Sequence, residues 1–493
     1  MKLTTKAALA ATLGALALSA SVAHAAVDAA KAAQLGQTLT PVGAEKAGNA
    51  AGTIPAWEGG VTRPPAGYRN GMFHPDPFAA DRPKFQITRA NVGQYGNNLT
   101  AGQKAMFTRY PTFRMDVYPT RRSAAFPQRT YEFTKNNATR CRLVANGEGI
   151  QNCAEGFPFP VPQNAYELIW NHKLKYKGVS GRRWANRVAP TPGGQYTMIR
   201  LQERLLGLYY KPGNTSENIN NILLYFLQDV LGPARLAGQV LLVHETLNNS
   251  VAPRQAWIYN PGQRRVRRAP NVAYDNPATA SDGLSTNDMT DMFNGAMDRF
   301  DWTLVGKKDM YVPYNSYKAH SNNTKVADLV RPGHLNPDFM RYELHRVWVV
   351  EAKLKAGARH INSRRTFYLD EDSYQILAID HYDGQGAIWR VSEAPSINYY
   401  EVPTFWSTIE AHYDLKSGRY LAGLLDNEVD RPNDVGFEAT PADFSAVEAD
   451  WHARAEAAGW GPVQLEQLLA SAVPAAVRDG FVIEDESWRG GVR

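Results

Sequence analysis

Cysteine is nearly absent: the chain of 493 residues has two, Cys141 and Cys153. That excludes a disulfide-dense scaffold and, with no CxxC pair, a thioredoxin-like redox site. Two thiols alone also fall short of the four ligands of a structural zinc centre. Beyond the first 25 positions no stretch reaches the roughly 20 apolar residues of a membrane helix. The run Ile222 to Leu231 is too short and includes Gln228 and Asp229. Strong charge of one sign is missing too. The formal net charge is +6, of which Lys2 and Lys6 supply two units, so the bias gives no electrostatic case for nucleic acid. Catalytic signatures are also missing: there is no GxSxG elbow, HExxH helix, Walker A loop or dinucleotide GxGxxG. The 11 His residues are scattered. Glu343-Leu344-His345 and His244-Glu245 set an acid near an imidazole, but on no recognisable scaffold. No catalytic residue, cofactor or metal is expected.

What is present points to a folded, exported protein. Hydrophobic residues make up 44% and aromatics 11%, enough for substantial cores, while 39 Gly and 30 Pro imply long, turn-rich connections. Lys2 and Lys6 precede an apolar run from Ala7 to Ala20, and Ala23-His24-Ala25 has the small residues of a cleavage site. This is the order of a secretory leader, cut after Ala25 or, as the near alternative, after Ala26. Export follows, and the mature chain is expected to be soluble. An oxidising compartment permits a Cys141–Cys153 bridge; free thiols are the alternative.

The chain divides by composition. Residues 1–25 are the leader. Residues 26–98 form an extended Pro/Gly-rich arm anchored by Trp57, Phe73 and Phe78, and 99–190 an N-terminal extension with the cysteine loop. Within the extension, Leu99 to Arg109 and Pro162 to Lys173 have helical spacing, whereas Tyr110 to Tyr118 and Phe126 to Lys135 alternate like strands. Residues 191–430 form the core, rich in strand patterns: Tyr196 to Tyr210, Ile219 to Leu227, Ala237 to Leu247, Leu344 to Glu351, and a meander from Arg364 to Leu424. Gln255 to Tyr259 and Arg264 to Arg268 flank Asn260-Pro261-Gly262-Gln263, a hairpin. Ser285 to Phe300 reads as a cover helix, capped by Ser285, with one stripe of Met289, Met292, Phe293, Ala296, Met297 and Phe300. Residues 431–493 form a helical extension, with helices around Phe444 to Ala457 and Pro462 to Ala472. The fold class is mainly β with α: a large curved antiparallel sheet or incomplete barrel covered by helices.

Candidate ligand-binding residues come from two features. Met289, Met292, Phe293 and Met297 offer an adaptable apolar surface, although such a stripe is more often plain core. Arg265 and Arg267 face one side of the hairpin and could meet a head group, an acidic partner or an internal acid. Asp370-Glu371-Asp372 suggests calcium or a carboxylate pair, but its place in a tight hairpin favours a solvated turn.

Three segments resemble the DUF1329 family of exported Gram-negative proteins, which implies a place in the periplasm, soluble or peripherally associated with the outer membrane. They are Gly52-Thr53-Ile54-Pro55-Ala56-Trp57-Glu58-Gly59-Gly60, Arg364 to Gln375, and Tyr382-Asp383-Gly384-Gln385-Gly386-Ala387-Ile388-Trp389-Arg390. The hairpin Ala256 to Arg268 is also similar to that of periplasmic outer-membrane lipoprotein-sorting carriers. That resemblance implies a half-open β-barrel covered by helices, with an apolar cavity for acyl chains. The implied role is a carrier of a lipid or other hydrophobic molecule between membrane transport components. The family's genomic company implies an RND-type exporter and an outer-membrane protein as partners. A non-catalytic envelope docking protein and a periplasmic hydrolase are the alternatives.

Overall fold

A computed structural model describes residues 27–261, 265–269 and 272–437. The expected leader and the two C-terminal helices lie outside them. The arm opens with a single helical turn, α1 (Ala29–Ala32), then runs extended over the body. Two short strands, β1 (Phe85–Ile87) and β2 (Met115–Val117), flank helix α2 (Ala101–Arg109). Thr100 and Gln103 form a reciprocal capping box on α2.

Helix α3 (Gln128–Arg140) replaces the strand expected over Phe126 to Lys135. The alternating aromatics Tyr131 and Phe133 misled the period. Its buried stripe is small and polar: Thr130, Thr134, Asn137 and Ala138. Thr134 Oγ1 accepts from Phe157 N at 3.0 Å, and Asn137 Nδ2 donates to Ala154 O at 2.9 Å. The loop so held brings Gly156 against α3, where an added Cβ would stand 2.3 Å from Thr134 N, so glycine is required there. After α3, β3 (Arg142–Val144) and β4 (Gly149–Gln151) form a hairpin inside the Cys141–Cys153 disulfide, whose Cα atoms are 4.8 Å apart. Helix α4 (Ala165–Lys173) is capped by Asn164.

The sheet then builds by antiparallel neighbours: β5 (Ser180–Val188), β6 (Ile199–Gly207), β7 (Ile222–Gly232), β8 (Val240–Thr246), β9 (Gln255–Asn260) and β10 (Arg265–Arg268). A long connection leads to β11 (Phe300–Pro313). Two helical turns, α5 (Tyr317–His320) and α6 (Val326–Leu329), precede β12 (Tyr342–Leu354). The meander continues through β13 (Arg364–Asp370), β14 (Ile376–Tyr382) and β15 (Ile388–Glu393). A separate hairpin of β16 (Ser396–Tyr399) and β17 (Thr404–Ser407) intervenes. Strands β18 (Glu410–Asp414) and β19 (Arg419–Leu425) then rejoin the main sheet, and β20 (Asp434–Phe437) pairs with β5.

The result is a mixed α/β fold around one 16-stranded sheet in the order β1-β2-β12-β13-β14-β15-β18-β19-β5-β6-β7-β8-β9-β10, with β11 on β12. It corrects the expected curved sheet or half-open barrel covered by helices. The sheet does not close or curl on itself: β1 and β10 stand at opposite ends and do not pair. Closure abolishes edges, and charge is the other way to guard them. Lys308 on β11 and Arg267 and Arg268 on β10 are exposed at those edges.

The sheet separates two layers. On β18 and β19, Ala411, Tyr413, Tyr420 and Ala422 pack in a cluster with Met106 and Phe107 of α2. The alternate residues point the other way. The arm is clamped by cations: Arg122 donates to the carbonyls of Glu45, Lys46 and Pro55, and Arg346 to those of Glu45 and Ala47. Trp57 Nε1 donates to Ala124 O, while Phe73 and Phe78 are half-buried. Among the described residues no helix is long and apolar enough to cross a membrane.

Candidate functional site

Six consecutive strands, β18-β19-β5-β6-β7-β8, line a cavity of about 150 Å³. Its apolar wall comes from Leu205 of β6, Leu224 and Phe226 of β7, Leu241 and Val243 of β8, and Leu421 of β19. The connection between β10 and β11 forms the roof, contributing Val272, Ala278, Thr279 and Met289. The volume matches the ~150 Å³ of a protein cavity that accepts benzene. That volume has room for a small amphiphile or the end of a longer chain.

The polar side is dense in charge. Asp291 of the roof takes Lys175 Nζ at 2.6 Å and Lys177 Nζ at 2.7 Å, and its other oxygen accepts from Trp406 Nε1 at 2.9 Å. Arg183 donates from Nε to Glu203 at 2.9 Å, and Gln228 donates to the same carboxylate at 2.8 Å. Arg254 pairs with Glu245. Burial pushes the Lys175 ammonium down to about 7, against the pull of Asp291. Burial, reinforced by the Asp291 charge, pushes the Glu410 carboxyl up to about 7. His412 is held neutral, burial taking it down to about 3.

Arg187 is the exception to this pairing. Its Nη1 donates to Thr279 O of the roof at 2.6 Å, its buried Nε has no partner, and it forms no ion pair. Arg183 Nη1 is likewise buried without a partner. Residues 183 and 187 lie on one face of β5, so two guanidinium groups carry donor capacity into a cavity whose wall is apolar.

A family model described as a protein of unknown function, DUF1329, matches residues 86–450. The chain belongs to the DUF1329 family. An uncharacterized Pseudomonas aeruginosa protein, PA3922, is 50% identical over 432 residues, which is 87% of this chain and 95% of the relative. A solved DUF1329 family structure from Desulfovibrio piger is similar at TM-score 0.39 and 15% identity, covering 57% of this chain and 97% of that one. A LolA superfamily protein from Nitrosomonas europaea gives TM-score 0.33 at 12% identity, over 53% and 91% of the two chains.

The DUF1329 chain distributes the residues singled out in its sequence over three places. Met289 lines the cavity. Met292, Phe293 and Met297 are fully buried in the main hydrophobic core with Phe300. Arg267 is exposed on the edge strand β10, away from the cavity lining; the side chain of Arg265 lies outside the described residues.

The cover helix expected over Ser285 to Phe300 is absent. One 3₁₀ turn, Asn287–Met289, is followed by Asp291 and Met292 at φ of +53° and +65°. Two successive left-handed residues reverse the chain and break any helix. The acids expected to favour its dipole instead bind the body: Asp288 takes Arg365 at 2.7 Å and His360 at 3.0 Å, while Asp291 takes the lysines. Tertiary ion pairs outweighed local helical periodicity. The solvated turn expected at Asp370-Glu371-Asp372 is also corrected, since all three are buried. Arg122 holds Asp372, and Arg346 and Lys307 hold Glu371.

Sequence reasoning missed Arg183, Arg187, Glu203 and Glu410. The signal available was weak: charged residues at inward positions of otherwise apolar strands, and the alternation Lys173, Lys175, Lys177 just after α4.

Proposed function

We propose that this DUF1329 protein is a periplasmic, non-catalytic binding protein that carries a hydrophobic molecule bearing an anionic group, supporting transfer between membrane transport components. The observation that supports this reading is the unpaired Arg187 beside an apolar wall. Glu203 and Glu410 act on the Arg187 charge without reaching ion-pair distance, so its free Nε donor is suited to a phosphate or carboxylate of the cargo. Each cargo methylene taken from water onto Leu224, Phe226, Leu241 and Val243 adds ~0.8 kcal/mol. Met289 would adapt to the cargo from the roof, with Met292, Phe293 and Met297 supporting it from the core. The edge-strand Arg267, with Arg265 beside it in sequence, would meet an anionic membrane surface or an acidic patch on an exporter or outer-membrane partner.

The test is gentle purification from the native envelope, followed by native mass spectrometry and mass analysis of organic extracts. A stoichiometric anionic hydrophobe is expected in the wild type and should be lost from folded Arg187→Gln and Leu241→Asp proteins. A wild type free of any bound hydrophobe in both measurements refutes the carrier reading.

A further inference from the structure

Away from the cavity, beneath the N-terminal arm, one group of side chains has the form of a metal centre. His345 of β12, Asp370 at the end of β13 and Asp372 in the following turn are all buried, and one ligand atom from each lies within 4.8 Å of the other two. His345 Nε2 is 3.0 Å from Glu343 Oε2 and donates to it. Glu343 is itself fixed by Arg121 N at 2.6 Å, Arg341 Nε at 2.6 Å and Asn315 Nδ2 at 2.9 Å. Anchored this way, the ring directs Nδ1 at Asp370 Oδ1, 3.9 Å away and beyond hydrogen-bond reach.

Asp370 Oδ1 is the decisive atom. It is buried and has no hydrogen-bond partner, whereas Oδ2 of the same carboxylate accepts from Ser373 Oγ at 2.6 Å and Tyr314 Oη at 3.2 Å. A buried carboxylate oxygen left without a donor is costly and rare. With the imidazole neutral, two lone pairs face each other across the gap, and a cation between them would satisfy both.

We propose that His345, Asp370 and Asp372 bind one divalent transition-metal ion of the zinc class, with Glu343 as the positioning residue for the imidazole. A carboxylate on the far nitrogen of a metal-bound His is the usual second-shell support. An imidazole ligand favours zinc-class ions over calcium, which takes six to eight oxygens. Tetrahedral bonds of about 2.1 Å set ligand atoms roughly 3.4 Å apart, so His345 and Asp370 need little adjustment and Asp372 closes by at most about 1.4 Å. Arg122, which holds both Asp372 oxygens at 2.6 and 2.8 Å, does not block this: each carboxylate oxygen retains a second lone pair. Because Arg122 also grips the arm carbonyls of Glu45, Lys46 and Pro55, the ion would be enclosed as the arm docks.

The test uses the full chain, refolded in excess Zn²⁺ and separately in Co²⁺, freed of loose ions by gel filtration and analysed for metal. One Zn²⁺ per chain and a tetrahedral Co²⁺ absorption band are expected in the wild type. Asp370→Asn, isosteric with the native side chain, should lose the ion, and Glu343→Gln should weaken it about 10–100-fold. A wild type without stoichiometric Zn²⁺, or a folded Asp370→Asn protein retaining as much as wild type, overturns the assignment. If the variants do not fold, the wild-type Co²⁺ spectrum decides: absence of the tetrahedral band refutes the site. Cargo binding enters none of these readouts.

Discussion

Replacing Glu410 by Gln isolates the charge least favourably placed at the cavity. Glu410 is 6% exposed and faces Asp291, Glu203, Arg183 and Lys175, with Ser407 Oγ donating to it at 3.2 Å. Burial and the Asp291 charge raise its carboxyl from 4.5 to about 7. The folded state therefore holds a proton that the unfolded chain has released between those values, and stability falls as pH rises through that window. The raised value translates into a penalty of about 3 kcal/mol, absent below pH 4.5 and complete above pH 7. Gln keeps the volume and one acceptor without the charge. Glu410→Gln should match wild type near pH 4.5 and exceed it by up to about 3 kcal/mol at pH 8, measured by urea unfolding across pH. Lys175, whose ammonium Glu410 helps to hold charged, opposes the trend only from about pH 7 upward, where its folded form loses a proton that the unfolded chain keeps. A stability difference that is flat from pH 4.5 to 8 would sink the argument. Binding provides a second readout. Binding an anion beside an ionised Glu410 on the cavity wall is opposed by like-charge repulsion, so wild-type affinity for an anionic amphiphile should fall as pH rises through 7 and the variant's should not.

Other perturbations test separate parts of the molecule. Arg187→Gln should weaken binding of an anionic amphiphile by ~1.5–3 kcal/mol, read by titration calorimetry, while a neutral analogue is unaffected. Converting both Cys141 and Cys153 to Ser should cost about 3 kcal/mol in urea unfolding, the value of closing a short loop; equal stability would show that the β3–β4 hairpin holds itself. His74 ties the arm to the body, its two ring nitrogens lying 2.8 Å from Glu401 Oε1 and 3.2 Å from His320 Nε2. His74→Ala should speed amide exchange in the surrounding arm, with β13 and β14 unchanged.

The parts of the fold legible in the sequence were those in which local pattern and final burial agree. The β9–β10 hairpin, the meander from β12 to β15, and helices α2 and α4 stand where their local patterns and turn residues place them. Helix α3 was hidden because its buried face is Thr130, Thr134 and Asn137, whose burial depends on hydrogen bonds to a loop joined by a disulfide. The roof shows the opposite failure. Its Met and Phe residues are as buried as expected, yet Asp288 and Asp291 reach cations brought from β13 and the segment after α4, and the backbone turns to serve them. Sheet closure was illegible for another reason: alternation fixes which face a residue takes, but not whether β1 and β10 meet. The same limit hid the cavity. Arg187, Glu203 and Glu410 lie on three strands, the first and last more than two hundred residues apart in the chain, and only the order β18-β19-β5-β6 sets them on one surface. A single change that rearranged that order would remove the cavity while leaving every local pattern intact. The charges that line the cavity are thus a property of topology, whereas the core is a property of periodicity.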